Sequence, residues 1–473
     1  MDLIPIAVDL DGTLLKTDSL YESVLALLRA RPFVVFLLPF WLLAGRASLK
    51  ARVADAADPA IELWPLRADL VAWLTERARN GHPIVLATAA NEQVAKVVGR
   101  RLPFLAEVIA SDGERNLKGE AKATALASRY PGGFIYVGND RSDAAVWRLP
   151  GAIPALAGKV SKLARWCDGK APVAVFADDA RRPWSRALRP HQWSKNLLVI
   201  APLLLSGNAR SLQAWGSATL ALVALCAIAS GTYLLNDLSD LDSDRQHRTK
   251  HARPLASGDL AIVHGVLAMM ILLALGAALA ALLGSAGAAL LAAYAALTIS
   301  YSFGLKRKAI VDVTVIGLLF TLRLLLGAAA IGVPATRWLL LVSMFLFVSL
   351  ALGKRCVEVR ELGVAGRVIG RGYRSEDLPV LLALGVATAT GAVLVFVMYL
   401  IEEAFPTGLY RWPGLLWMAP IILFIWLGRM WLLCGRGELH EDPVLFAMKD
   451  RASIMLGGAM LLIFAGSMKL PPI

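Results

Sequence analysis

Cysteine is scarce: four among 473 residues, at Cys167, Cys226, Cys356 and Cys434, with no CxxC pair. So wide a spacing supports neither a disulfide framework nor a zinc site. The N-terminus lacks the basic n-region and long apolar core of a signal peptide, and a polar domain begins at once. That domain is expected to stay in the cytoplasm. Polarity is also short overall. Hydrophobic residues make up 57% of the chain and mean hydropathy is +0.59, too apolar for a soluble protein, so a membrane bundle is implied. The formal charge of +13 would suit nucleic acid, but the positive residues cluster between apolar runs. Membrane topology explains that pattern, and no nucleic-acid partner is expected. The length allows two or three domains.

Against this background one acidic stretch stands out, Asn236-Asp237-Leu238-Ser239-Asp240-Leu241-Asp242-Ser243-Asp244, followed by Lys250, Arg253-Pro254 and Ser257-Gly258. It begins where the apolar run from Trp215 to Leu235 ends. Asp237, Asp240 and Asp244 lie at i, i+3 and i+7, so a continuing helix would present them to solvent on one face. Three like charges repel unless a cation sits among them. Hard oxygen ligands beside basic residues suit Mg²⁺ carrying a phosphorylated substrate. The competing reading is a solvated acidic loop; acids in helical register at a membrane mouth favour the ligand set.

Asn236, Asp237, Asp240 and Asp244 match the NDxxDxxxD motif, and from about Arg189 to the C-terminus the chain resembles the UbiA superfamily of membrane prenyltransferases. Arg189-Pro190-His191-Gln192-Trp193-Ser194-Lys195-Asn196, Tyr301-Ser302 and Gly353-Lys354-Arg355 look like one branch, the decaprenyl-phosphate phosphoribosyltransferases. The resemblance implies phosphoribosyl pyrophosphate as donor and a polyprenyl phosphate as acceptor. It also implies Asn236, Asp237, Asp240 and Asp244 as holders of Mg²⁺ and the leaving pyrophosphate, with Lys250 and Arg253 on phosphates.

Residues 1–178 form a separate domain with a small helical cap. Ile4 to Val8 reads as a buried strand delivering Asp9-Leu10-Asp11-Gly12-Thr13-Leu14. This loop resembles motif I of the haloacid dehalogenase superfamily, in which a strand end fixes two carboxylates, one as nucleophile and one as acid/base. A second strand, Pro83 to Ala87, delivers Thr88; Lys122 follows, with Lys118 as its substitute. A third strand, Phe134 to Val137, runs into Gly138-Asn139-Asp140-Arg141-Ser142-Asp143. In this order the pieces resemble the haloacid dehalogenase superfamily, an α/β Rossmann-like phosphatase fold. The resemblance gives Thr88 and Lys122 to phosphate and places Mg²⁺ on Asp9, Asp11, Asn139 and Asp143. Asn139 departs from the family's usual aspartate, which removes a charge from that metal site.

The apolar run from Arg31 to Leu43 is too short to span a bilayer as helix. It reads either as the buried face of the cap or as a helix in the headgroup layer, and its two prolines and aromatics favour the latter. Residues 172–176 suggest one more strand, and 179–196 an amphipathic linker, basic and Trp-bearing from Arg181 to Arg189, attracted to anionic lipid.

From residue 197 to 473 an all-α polytopic bundle is expected. Apolar runs at 197–206, 215–235, 260–284, 287–303, 309–333, 338–353, 379–401, 413–428 and 453–468 give nine transmembrane helices. With a cytoplasmic N-terminus the inner loops then carry 17 Lys and Arg, against four in outer segments (Arg210, Arg337, Arg411, Lys469). This is the positive-inside pattern, and dropping the first run would reverse it. The expected location is the inner (plasma) membrane, N-terminal domain inside and C-terminus outside.

The inner ends collect the remaining polar candidates. Tyr301 and Lys306 close the fourth run, Asp312 opens the fifth, and Arg323 lies eleven residues deeper on nearly the same helix face. At that depth Arg323 serves either an interior phosphate or a structural ion pair. Aromatic-acceptor prenyltransferases would usually show a second Asp-rich motif in the loop after the sixth run. Here Lys354 and Arg355 lead, with Glu358 and Glu361 behind, and a cationic site suits a lipid phosphate. Lys195, Tyr301, Lys306, Lys354 and Arg355 are therefore candidates for the donor's 5-phosphate and the attacking lipid phosphate, with Asp312, Arg323 and Glu358 around them. His440, Glu441 and Asp442 show no recognisable ligand spacing. Two alternatives stay open: prenyl transfer to a small aromatic acceptor, and a non-catalytic lipid-binding or transport protein. The lipid bilayer is a partner in every case, and a homo-oligomer is compatible with each.

Overall fold

The computed structural model describes residues 3–111, 116–178, 183–361, 366, 371–439 and 442–468. The chain forms two units, Met1–Arg189 with Tyr233–Met270, and Pro190–Thr232 with Ile271–Ile473. The acidic stretch therefore belongs with the N-terminal domain, a grouping the linear order gives no hint of.

The first unit is built on a six-stranded parallel sheet: β1 (Ile6–Val8), β2 (Ile84–Asn91), β3 (Leu105–Ser111), β4 (Phe134–Gly138), β5 (Ala152–Gly158) and β6 (Val175–Ala177). Its order is β3-β2-β1-β4-β5-β6, the arrangement of doubly wound sheets. Alternate residues serve opposite faces. Ile6, Val8, Ile84 and Leu86 meet Leu70, Leu74, Val94 and Val98, from helices Ala68–Arg79 and Glu92–Arg100. Ala7, Ala87 and Tyr136 meet Leu126 of helix Glu120–Arg129, and Trp147. The winding reverses between the neighbouring strands β1 and β4, so the carboxyl ends of these two strands frame the crevice where such sheets bind ligands.

β3 and β5 are absent from the sequence expectation. β3 carries Glu107, which accepts from the Tyr130 hydroxyl at 2.8 Å, and β5 is rich in Ala and Gly and holds Pro154. Neither segment has strong strand propensity; parallel pairing with β2 and β4 makes them strands. Segment 32–43 forms a 3₁₀ turn, Pro32–Phe36, and a short helix, Leu38–Leu43, and neither has a buried residue. It is not the hidden face of a cap.

The segment Tyr233–Met270 docks on helix Ser19–Ala30 and the turn before it through ion pairs. Arg245 donates to both Glu22 oxygens at 2.5 and 3.1 Å, both side chains being at most 4% exposed. Arg29 reaches Asp242 at 2.5 Å, and Lys16 reaches Asp259 at 3.3 Å. Gly258, in a left-handed conformation (φ 72° is found at Gly12, 78° here), lies so close to Lys16 that a Cβ would meet the Lys16 Cβ at 2.6 Å.

Among the described residues seven helices are long and apolar enough to cross a membrane: Leu212–Ser239, Ile262–Leu282, Gly284–Phe303, Val311–Ala330, Arg337–Arg360, Ser375–Ala404 and Pro413–Arg436. The other two of the nine expected runs are shorter. Arg451–Ser467 is a 17-residue apolar helix, and 197–206 falls in a 3₁₀ segment, Pro190–Ile200, followed by helix Ala201–Leu205. In the second unit Val313, Leu352, Leu381, Met430 and Trp431 pack together, and Gly385 admits the Trp431 ring where any Cβ would meet it at 1.9 Å. Residues 469–473, and with them the expected outer C-terminus, lie outside the described residues, as do Arg181, Arg182, His440 and Glu441.

Candidate functional site

Three polar constellations contain the candidate residues. The first surrounds the acidic motif. Asn236 and Asp237 close helix Leu212–Ser239, and the chain turns at Asp240 (φ −93°, ψ 11°) into helix Leu241–Gln246. The expected uninterrupted helix is thus broken at Asp240, yet i→i−4 bonding continues across it, Asp240 N–H to Asn236 and Asp244 N–H to Asp240. Asp237 and Asp244 still converge. One Arg253 nitrogen lies 3.0 Å from Asp237 Oδ1 and 2.5 Å from Asp244 Oδ2. Arg189 Nη2 donates to both Asp237 oxygens at 2.6 and 2.8 Å, its guanidinium 5.2 Å from the Tyr233 ring centre. Arg189 holds a left-handed backbone (φ 52°), uncommon for a long side chain.

Asp237 and Asp244 are 3% and 2% exposed, so the expected solvent-facing position of the motif is corrected: the two arginines cover it. Burial raises the Asp244 carboxyl above its usual range, opposed by Arg253. Two carboxylates within 3.0 Å of one cationic nitrogen are a fitting donor pair for Mg²⁺, which takes carboxylate oxygens at about 2.0–2.1 Å. Asp240 does not complete a third corner: among the described residues no three Asp, Glu, His or Cys side chains are gathered as a metal site. Lys250 is exposed at the following 3₁₀ turn and Asn236 half-buried.

The second constellation lies at the carboxyl ends of β1, β2 and β4, where the sequence expected it. Lys122 Nζ donates to Asp9 Oδ1 at 2.7 Å and to the Tyr136 hydroxyl at 2.9 Å, and lies 3.7 Å from Asp143. Lys118 is exposed, so of the two lysine candidates it is Lys122 that lies beside Asp9 and Asp143. Asp143 accepts from the Tyr136 hydroxyl and from the Asn139 and Asp140 N–H groups, three bonds with which direct metal ligation would compete. Asp11 accepts from Ser19 N–H at 2.8 Å, and the fully buried Thr88 hydroxyl from Ala90 N–H at 3.0 Å. Asn139 lies against the loop at Gly12, where a Cβ would meet its Nδ2 at 2.1 Å. Burial pushes Asp9 up to about 6 against the pull of Lys122, and Asp11 up to about 7 with help from Asp18. Burial disfavours the Lys122 ammonium, but Asp9 and Asp143 outweigh it and hold it above its ordinary value. Sequence reasoning missed Arg67, which donates to the Gly12 and Thr13 carbonyls and to Asp178, pinning the Asp9–Thr13 loop.

The third lies in the second unit. Arg355, 1% exposed, donates to Asp312 at 2.7 Å, to the Tyr301 hydroxyl at 3.3 Å and to Glu358. Tyr373 donates to Asp312 and accepts from Ile310 N–H, and Arg371 donates to Tyr301. Ile310 is held at φ 66°, a strained conformation for a β-branched residue just before Asp312. Tyr373 and Arg371 carried no sequence signal, since nothing in a basic loop marks which residues fold back.

Of the two expected roles of Arg323, the structural ion pair is not found among the described residues. Arg323 donates to Asn196 at 3.0 Å, to the Leu319 carbonyl at 2.6 Å and to the Tyr294 hydroxyl at 3.0 Å. Its remaining contacts are the rings of Tyr294 and Phe320, 5.0 and 4.9 Å from the guanidinium, so the cation is held by neutral groups. Lys354 pairs with Asp442 at 2.9 Å, a role invisible in the spacing of 440–442. Burial depresses the Lys195 ammonium, with Lys354 and Arg323 adding to this and Asp442 opposing. Lys306 is half-buried in the turn Leu305–Arg307.

Comparison with known proteins identifies the second half of this inventory. The UbiA prenyltransferase family profile matches residues 197–451. Protein y4nM of Sinorhizobium fredii is 36% identical over 98% of this chain and 91% of its own length. The decaprenyl-phosphate phosphoribosyltransferase of Mycobacterium tuberculosis is 32% identical over 58% of this chain and 91% of its own. A solved structure of a UbiA homolog from Archaeoglobus fulgidus bound to GPP and Mg²⁺ aligns with a TM-score of 0.47 at 18% identity, covering 60% of this chain and 98% of that one. With its apolar helices and a family match over more than half its length, the chain belongs to the UbiA prenyltransferase family of membrane enzymes.

Proposed function

We propose that this protein transfers phosphoribose from phosphoribosyl pyrophosphate to a polyprenyl phosphate, decaprenyl phosphate being the type acceptor, and that its N-terminal domain is a haloacid dehalogenase-like phosphatase that then removes the 5-phosphate. The observation that carries the first part is the basic character of the second unit. Arg355, Arg323, Lys195 and Lys354 are all partly or fully buried, and among the described residues Arg323 has only neutral partners. Cations kept at that cost suit phosphate ligands better than an aromatic acceptor.

In the proposed reaction the C1–O bond to pyrophosphate breaks and a lipid phosphate oxygen bonds to C1. The acceptor is already an anion, so no general base is required. Asp237 and Asp244, with Asn236 and Asp240, would hold Mg²⁺, which when bound supplies charge neutralisation for the departing pyrophosphate. Arg253 and Arg189, paired with the same carboxylates, would take phosphate oxygens beside that metal. Lys250, Lys306, Tyr301, Arg355 and Lys195 bind phosphate; Asp312 and Glu358 orient Arg355.

Support for the phosphatase comes from the sheet edge. Asp9 as nucleophile and Asp11 as acid/base would attack and protonate the phosphoester, Lys122 and Thr88 would hold the phosphoryl group, and Asp9, Asp11 and Asn139, with Asp143, would hold Mg²⁺. The product would be a polyprenyl-phosphoryl ribose for cell-envelope glycan synthesis. The proposed orientation keeps the N-terminal domain cytoplasmic, with nine spans and an outer C-terminus. Membranes containing the protein, incubated with labelled phosphoribosyl pyrophosphate or with labelled prenyl pyrophosphate, should label lipid only from the former. Label from the latter alone would establish prenyl transfer instead.

A further inference from the structure

We infer that the N-terminal domain touches the membrane itself, through residues Phe33 to Leu43, which lie in the headgroup layer of the bilayer that the spans cross. Among the described residues from 3 to 189, thirteen large apolar side chains are exposed, and seven of them fall within these eleven positions. Phe33 is 83% exposed, Phe36 70%, Phe40 67% and Leu43 84%. A contiguous patch of that kind is unusual on a water-facing domain and marks a contact surface.

Three observations commit the patch to lipid. Its backbone is a 3₁₀ turn followed by a six-residue helix, too short to span but suited to lying in an interface. Arg31 to Gly45 contains no acidic residue, and the exposed Arg31 opens it with a cation, as anionic headgroups favour. The third is position. Arg29, three residues before Pro32, is paired with Asp242, and Glu22 of the same helix with Arg245. Both partners lie just beyond Ser239, where the apolar helix Leu212–Ser239 ends. The patch is therefore tied to the loop that emerges from the membrane. Acidic and basic side chains that fix helix Ser19–Ala30 to that mouth hold the following apolar segment near the bilayer surface.

The test uses the full chain in nanodiscs of phosphatidylcholine and phosphatidylglycerol, with Phe40→Cys carrying an environment-sensitive fluorophore. Phe40 is exposed, so its replacement leaves the core intact. Lipids spin-labelled near the headgroup end of the acyl chain should quench the probe, and its emission should be blue-shifted. The same probe at Glu76→Cys, on the exposed side of helix Ala68–Arg79, should be unquenched. With the probe at Leu43→Cys, adding Phe36→Glu and Phe40→Glu should abolish quenching. Water-like emission at position 40 would overturn the inference. So would blue-shifted emission that lipid spin labels leave unquenched, which would assign the patch to a protein partner such as a second copy of this chain. Neither result depends on which donor the transferase uses.

Discussion

Glutamine in place of Glu22 should loosen two elements at once. Glu22 and Arg245 are 2% and 4% exposed, and the pair is bidentate. Removing one partner of such a pair costs up to about 3–5 kcal/mol, because among the described carboxylates Arg245 then keeps only the long contact to the half-exposed Asp242 at 3.8 Å. The neighbouring pairs offer little replacement: Arg29–Asp242 and Lys16–Asp259 are 22–36% exposed, and pairs of that kind contribute about 1 kcal/mol or less. Docking of helix Ser19–Ala30 on helix Leu241–Gln246 therefore rests chiefly on Glu22 and Arg245. At about 1.4 kcal/mol per tenfold, Glu22→Gln should raise local opening by roughly 100-fold. Amide hydrogen exchange in detergent would read this as faster exchange in residues 19–30 and 241–246 together, with β1 and β4 unchanged. The reversed pair Glu22→Arg with Arg245→Glu should recover part of the protection. Acceleration below about fivefold, or confined to one of the two helices, would refute the argument, since about 1 kcal/mol is what an exposed pair gives.

Asp237→Asn keeps the shape of the motif but removes the charge shared by Arg189 and Arg253, and lipid transfer should fall by more than about 100-fold, since metal assistance supplies several kcal/mol; near-normal turnover at saturating Mg²⁺ would give the motif another role. Asp9→Asn should accumulate polyprenyl-phosphoryl-5-phosphoribose with no dephosphorylated lipid, by mass spectrometry of extracts, and an unchanged product ratio would separate the two domains functionally. In chelator, burial raises Asp9 from 3.8 to about 6 and Asp11 from 3.8 to about 7. The folded domain then binds protons that the unfolded chain has released, so its stability should decline as pH rises from about 4 to 7 and level off above. Thermal unfolding at pH 5 and pH 8 checks the sign, and added Mg²⁺ should narrow the difference. Cysteine-accessibility labelling should place residue 2 inside and residue 473 outside; both on one side would remove the nine-span arrangement.

The sequence by itself determined whatever is written in local pattern. Apolar runs of span length gave the membrane helices because a bilayer requires about 20 apolar residues per crossing. The alternation of strand and loop delivered Asp9, Thr88 and Asp143 to one sheet edge, since in a parallel sheet all carboxyl ends lie on one side. The acidic spacing brought Asp237 and Asp244 together even though the helix turns at Asp240, because i→i−4 bonding survives the turn. Tertiary structure decided the partners. Arg189 on Asp237, Arg67 on the Asp9 loop, Tyr373 and Arg371 at Asp312 and Tyr301, and Glu22 on Arg245 are separated by 48 to 223 residues or fold back from loops without periodicity. An ion pair has no period and no propensity; it forms where the backbone has already brought two side chains within about 4 Å, and sequence alone does not carry that distance. For the same reason the acidic motif's burial, and its grouping with the N-terminal domain, were settled only when the fold closed over it.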